Sequence, residues 1–161
     1  MGDHTILFVF DNNEEVENFL ASEPWSFDRH LFVLQRLEIV VPAHDLAFNK
    51  VSIWVQVHNI SVIFLNRGVV KELCEVIGEV DQNSSNAEVE GGSFIRVCVQ
   101  VDIFIPLCRG HGLSIEDGEE GWDSFKYEQL PNICYWCGFL DHADKDCDLW
   151  IESDGTLDSS D

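Results

Sequence analysis

Residues 134–147 read Cys134-Tyr-Trp-Cys137-Gly-Phe-Leu-Asp-His142-Ala-Asp-Lys-Asp-Cys147, which is C-x2-C-x4-H-x4-C. No other stretch of the chain restricts its fold so closely. Three thiolates and one imidazole make a closed tetrahedral donor set, of the kind zinc takes in structural sites. The Cys-x-x-Cys turn brings two sulfurs to one ion. The four-residue spacers let His142 and Cys147 close the other side. Gly138 follows the second Cys, where the chain must turn tightly and a Cβ would obstruct it. Two other readings exist. One is a set of ordinary thiols with a surface His. The other is a redox Cys-x-x-Cys, which leaves His142 and Cys147 without a role.

The rest of the chain bounds the possibilities. At 161 residues there is room for one globular domain and a small appendage. Hydrophobic residues make up 45 %, enough for a core. No run approaches the ~18 apolar residues of a membrane span. No basic stretch precedes a long apolar run near Met1, so no signal peptide is expected, and Met1-Gly2 lacks the Ser or Thr at position 6 that myristoylation needs. Cys74, Cys98 and Cys108 sit in apolar runs and read as buried free thiols of a reducing compartment. The expected location is intracellular, nucleus or cytoplasm. Nine Lys and Arg face thirty Asp and Glu, a formal net charge of −21. A duplex-DNA binder normally carries a basic footprint, because affinity comes largely from neutralised phosphates. The acidity argues against strong general binding of nucleic acid and leaves room for a weaker contact made by stacking.

The element pattern is strand–helix–strand, twice. Thr5–Phe10 reads as a strand, Asp11-Asn-Asn as a turn and helix N-cap, and residues 13–21 as a short helix carrying Val16, Phe19 and Leu20 on one face. Ser22-Glu-Pro24 ends it. Trp25 and Phe27 are expected core anchors, and His30–Leu37 a strand. Val51–His58 alternates, with Val51, Ile53, Val55 and Val57 on one face. A helix is expected from about Val62 to Ile77, stopped at Gly78. Asp81–Gly92 reads as a flexible loop, Phe94–Ile105 as one long strand ending at Pro106, and Leu113–Ile115 with Trp122–Tyr127 as a hairpin. The expected fold class is α+β: a mostly antiparallel sheet with two helices on one face, ferredoxin-like or RNA-recognition-like, followed by the small metal module. The expected domains are 5–130 for the α+β part, 131–149 for the module and 150–161 for a disordered acidic tail.

Several separated motifs carry a family resemblance. In order they are Pro24-Trp25-Ser-Phe-Asp, Trp54-Val-Gln-Val-His58, Ile77-Gly-Glu-Val80, Arg96-Val-Cys-Val, Pro106-Leu107, Tyr127-Glu-Gln-Leu-Pro131 and the Cys/His module. Together they resemble plant zinc-knuckle proteins in which a domain of unknown function precedes C-x2-C-x4-H-x4-C. Those proteins look like the gag-like, nucleic-acid-chaperone part of non-LTR retrotransposons. The resemblance covers about residues 5–147. It implies one structural Zn2+ and single-stranded RNA or DNA binding. Three departures stand out. The family has a further strand and helix before the part matching Thr5–Phe10, so the chain looks N-terminally shortened. Asp141 stands where the family commonly has Gly. Lys145 is the only basic residue inside the module, among Asp141, Asp144 and Asp146.

Knuckles bind single strands by stacking bases on an exposed aromatic. Tyr135 occupies the platform position, Trp136 and Phe139 are candidate helpers, and Lys145 is the candidate phosphate contact. For Trp136 and Phe139, packing of the module against the domain is an equal alternative. Phe8, Phe10 and Trp54 are aromatic candidates on the sheet, for which packing is the preferred reading because no basic-Gly-aromatic signature accompanies them. No residue is assigned a catalytic role. Asp81, Asp102, Glu116 and Asp117 read as solvated surface, and His30, His44, His58 and His111 stand alone. A zinc ion with four protein ligands has no open position for water. The expectation is therefore a non-enzymatic zinc protein that binds single-stranded nucleic acid, with no membrane and no small-molecule substrate. The alternative is a protein-interaction module with a basic partner, or a relic fragment with a purely structural zinc site.

Overall fold

A computed structural model describes residues 5–37, 42, 45–60, 67–81, 89–90, 94–114, 120–140 and 142–153. The dominant element is an antiparallel sheet. Its strands are β3 (Lys50–His58), β4 (Glu79–Val80), β5 (Val89–Glu90), β6 (Phe94–Asp102), β7 (Gly110–Ser114) and β8 (Glu120–Tyr127), in the order β4-β6-β3-β8-β7 with β5 also on β6. The first two strands of the chain, β1 (Trp25–Phe27) and β2 (His30–Phe32), form a separate two-stranded ribbon.

The long central pair follows directly from alternation. Val51, Ile53, Val55 and Val57 of β3 lie opposite Val101, Val99, Val97 and Ile95 of β6, and all eight are buried. β-branched side chains suit a pleated surface and pack well across strands. Burying each contributes roughly 1.5–3 kcal/mol. Val70 and Cys74 of helix α2 (Arg67–Cys74) cover this face, and Phe125 of β8 and Leu107 complete the core. Gly78 follows α2 for a reason other than a left-handed stop. A Cβ there would stand 2.3 Å from the Gln100 carbonyl oxygen of β6. The glycine lets the chain leave the helix pressed against the sheet.

The fold is α+β with antiparallel pairing, as expected, and the 120–127 strand of the expected hairpin pairs with 110–114. The N-terminal part differs. Residues 5–10 form no strand. Instead Phe8 and Phe10 pack on Phe19 of helix α1 (Asn13–Ala21), with ring centroids 5.5 and 5.2 Å away. Ile6, Leu7 and Val9 are exposed. The apolar run caps a helix face rather than joining a ladder. Asn12 caps α1 as the sequence indicates, its side-chain oxygen accepting from the Glu15 amide at 2.9 Å.

Trp25 and Phe27 are not core anchors: they are 38 % and 74 % exposed. Trp25 stacks on Phe19 at 4.8 Å and donates from Nε1 to the Phe19 carbonyl. The expected strand 30–37 stops at Phe32, because its partner is the three-residue β1 and the turn at Asp28 and Arg29, both with positive φ, folds it straight back. Helix α1 buries no residue, so the core rests on α2 alone among the described helices of the expected pair. The long strand ends at Asp102, where its carboxylate accepts from the Phe104 amide in a turn, and Phe104 and Ile105 are exposed. Residues 62–66 of the expected second helix, 82–88 and 91–92 of the expected loop, 115–119, Asp141, His44 and 154–161 lie outside the described residues. Trp150 and the two residues after it belong to a short helix, α3 (Asp148–Glu152).

Candidate metal centre

The four sequence-identified donors converge. The ligand atoms of Cys134, Cys137, His142 and Cys147 all lie within 4.8 Å of one another, and Cys137 Sγ is 3.2 Å from His142 Nε2. A tetrahedral zinc site with Zn–S near 2.3 Å and Zn–N near 2.0 Å needs donors roughly 3.5–4 Å apart. The set therefore fits one ion after small adjustments, with the Cys137–His142 pair opening slightly and the widest separations closing. Cys134 and Cys147 are buried, and Cys137 and His142 are half-buried, so the site is closed toward the protein.

Local hydrogen bonds shape this loop. The Gly138 amide donates to the Cys134 carbonyl at 2.8 Å, and the Cys134 amide to the Phe139 carbonyl at 2.9 Å, which closes the Cys-x-x-Cys turn. Gly138 sits at φ +81°, a conformation other residues rarely adopt. The Tyr135 amide donates to Asp144 Oδ1 at 2.6 Å, tying the first pair of ligands to the second. A 3-10 turn over Asp144–Asp146 then presents Cys147, whose carbonyl accepts from Ile151 in the first turn of α3.

The thiols differ in their readiness to ionise. Burial pushes Cys134 up to about 12, against opposing backbone hydrogen bonds from Cys137 and Trp136. Burial acts on Cys147 in the same direction. There it is outweighed by the Trp150 backbone and by hydrogen bonds with His142, Cys134 and Cys137, which bring the thiol down to about 7. A divalent cation supplies the positive charge that makes three adjacent thiolates tolerable. By contrast, burial raises Cys74 to about 12 and, with Asp81 and Glu23 nearby, Cys98 to about 11; these free thiols are poor nucleophiles.

The centre is docked on the sheet domain. The Leu107 amide donates to the Gly138 carbonyl at 2.9 Å, and a Cβ on Gly138 would stand 2.7 Å from the Leu107 carbonyl oxygen. Arg109 donates from its guanidinium to the Tyr135 carbonyl. Tyr127 donates its hydroxyl to the Cys108 carbonyl in the same segment. Ile133 and Leu140 pack against the core.

The predicted contact residues fall in different settings. Tyr135 is 58 % exposed, on the rim of the centre. Trp136 is half-buried and stacks on Trp150 at 4.2 Å and 21°. Phe139 is half-buried, and Lys145 is exposed, 3.9 Å from Asp146. Sequence reasoning missed Trp150, Asp144, Leu107 and Arg109. Trp150 could have been found as the aromatic one turn beyond the last ligand. Leu107 stands in the Pro106-Leu107 motif, which marks the position without giving its role, and the roles of Asp144 and Arg109 depend on the docking.

The three-Cys, one-His set defines a zinc-knuckle type of site. A family model described as zinc knuckle matches residues 101–149, a span that begins inside β6 and takes in the docking segment. Comparison with curated proteins and with solved structures gives no significant match. Among the described residues no helix is long and apolar enough to cross a membrane.

Proposed function

We propose that this chain is a non-enzymatic protein holding one zinc ion through Cys134, Cys137, His142 and Cys147, and presenting Tyr135 as a stacking platform for single-stranded RNA or DNA. The observation that carries the metal assignment is the convergence of the four donors within 4.8 Å. Zinc suits soft thiolate and imidazole ligands in a closed tetrahedron. With all four positions taken by protein, the ion acts as a structural clip. The exposed ring of Tyr135 supports the binding assignment, because stacking is worth roughly 1–3 kcal/mol per base and tolerates any sequence. Trp136 is already stacked on Trp150 and is not itself a free base contact. Phe139 lends its carbonyl to the turn, and Lys145 gives a weak phosphate contact. Retrotransposon ancestry of the plant gag-like kind is the reading that the ordered motifs support, and intracellular residence, in the nucleus or the cytoplasm, goes with it.

The net charge of −21 favours a second reading, a module for a basic protein partner. Fluorescence anisotropy with labelled single-stranded RNA, at low and moderate salt, separates the two. Knuckle binding weakens with salt through its phosphate contacts and is lost in Tyr135→Ala. An interaction module shows no affinity for RNA at either salt. Zinc content by elemental analysis checks the metal: one ion per chain, and less in Cys147→Ser.

A further inference from the structure

The core lies on one face of the sheet, and the other face carries a cluster that the metal centre does not use. Cross-strand register arranges it in rows. Phe94, His58 and Ser124 lie side by side across β6, β3 and β8. Arg96, Gln56 and Lys126 form the next row. Trp54 follows, opposite Cys98, and its carbonyl accepts from the Glu128 amide.

These side chains are arranged in pairs. The rings of His58 and Phe94 are 5.0 Å apart. The Arg96 guanidinium stands 4.8 Å over Trp54. Glu128 takes two hydrogen bonds from Arg96, at 2.9 and 2.6 Å, and one from Gln56 at 2.6 Å, so its charge is spent within the cluster. Lys126 is exposed, with no ion pair to it among the described residues. Burial and Lys126 lower the His58 pKa, which keeps that ring neutral. Arg96 and Glu128 offset each other, so Lys126 is the cation this face offers between its rings, while Asp81 and Glu23 lie near Cys98, opposite Trp54, on a chain of net charge −21.

Two ring positions four residues apart on one strand stand about 13 Å from each other. A single strand of nucleic acid offers flat bases and, between them, phosphates. An acidic peptide would answer the cations and leave the rings unused. We propose that this face of β3, β6 and β8 is a second contact surface for single-stranded nucleic acid, with His58–Phe94 and Trp54–Arg96 as stacking points and Lys126 as the phosphate contact between them. It shares its ligand class with the metal-centre reading but none of its residues.

The test is anisotropy of a labelled twelve-nucleotide RNA against the zinc-loaded full chain at low salt, with Lys126→Glu and His58→Ala, each alone and combined with Tyr135→Ala. Each sheet substitution should weaken binding about five- to tenfold. The loss should persist on the Tyr135→Ala background. Lys126 is exposed, so Lys126→Glu carries the test should His58→Ala fold poorly. If Tyr135→Ala is silent and Lys126→Glu is not, the sheet surface stands and the knuckle platform fails. If Tyr135→Ala alone lowers affinity, the sheet surface is overturned. Competition by polyglutamate as strong as by unlabelled RNA also overturns it, in favour of an acidic peptide, and so does absence of RNA binding by the wild type.

Discussion

The amide of Leu107 donates to the carbonyl of Gly138 across 2.9 Å, joining the segment after β6 to the turn that carries two metal ligands. The metal centre is thus an extension of the sheet domain rather than a bead on a linker. Zinc should accordingly stabilise more than its own loop. At free zinc one hundred times Kd, linkage adds about 2.7 kcal/mol. For a chain of this size that raises Tm by about 5–10 °C. Chelation should reverse the gain and speed hydrogen exchange at Leu107. An unchanged Leu107 amide after chelation counts against the coupling.

Gly138 meets two demands at once, a positive φ and a close approach to Leu107. Gly138→Ala should cost at least about 1–2 kcal/mol from the left-handed conformation alone. The clash with the Leu107 carbonyl adds to this. Asn accepts positive φ yet still carries a Cβ. Gly138→Asn should therefore weaken zinc affinity nearly as much as Gly138→Ala in a competition titration. Full rescue by Asn would mean that the conformation alone matters.

Trp150 holds Trp136 from α3. Trp150→Ala should destabilise the metal-bound segment by about 0.5–1.5 kcal/mol from the lost ring pair, plus the lost burial. Leu149→Ala, at an exposed neighbour in the same helix, should change little. Zinc retention against a chelator distinguishes them, and equal behaviour of the two variants would dismiss the Trp pair as a support.

Glu23 is buried and accepts from the Ser52 amide at 3.2 Å. Burial raises its pKa above 4.5, and the hydrogen bonds from Ser52 only partly oppose this. The folded state thus holds this proton more tightly than the unfolded chain. The stabilisation is complete below pH 4.5 and is lost as pH rises through the raised value. At neutral pH the charged carboxylate is a burden. Glu23→Gln keeps an acceptor for Ser52, so it should match or exceed wild-type stability at pH 7 in urea and flatten the pH dependence above 4.5. A Gln variant less stable at pH 7 would show that the charge is needed.

The legible parts of this chain are the ones whose information is local. Val51–His58 declares its buried face because every second residue is aliphatic, and Cys134–Cys147 declares its donor set because the spacing alone brings the atoms together. Thr5–Phe10 and Trp25–Phe27 were misleading for the opposite reason. Apolar composition says that a segment seeks a partner, not which one. Phe8 and Phe10 found Phe19, and β1 found β2, so neither entered the main sheet. The docking of the metal loop was hidden for the same cause. Leu107 and Arg109 lie far upstream of their acceptors, and nothing in their own neighbourhood, the Pro106-Leu107 motif included, says what they bind.

The place of β3 at the middle of the sheet has a consequence for synthesis. One of its partners, β6, follows after a moderate interval, but the other, β8, is more than sixty residues downstream. At ~5–20 residues per second, a ribosome takes several seconds to deliver it. During that interval the second edge of a strand with four buried aliphatic side chains is open to other chains. The Cys/His segment leaves the ribosome immediately behind β8, so its donors become available only after the strand that closes the second edge of β3 has been made.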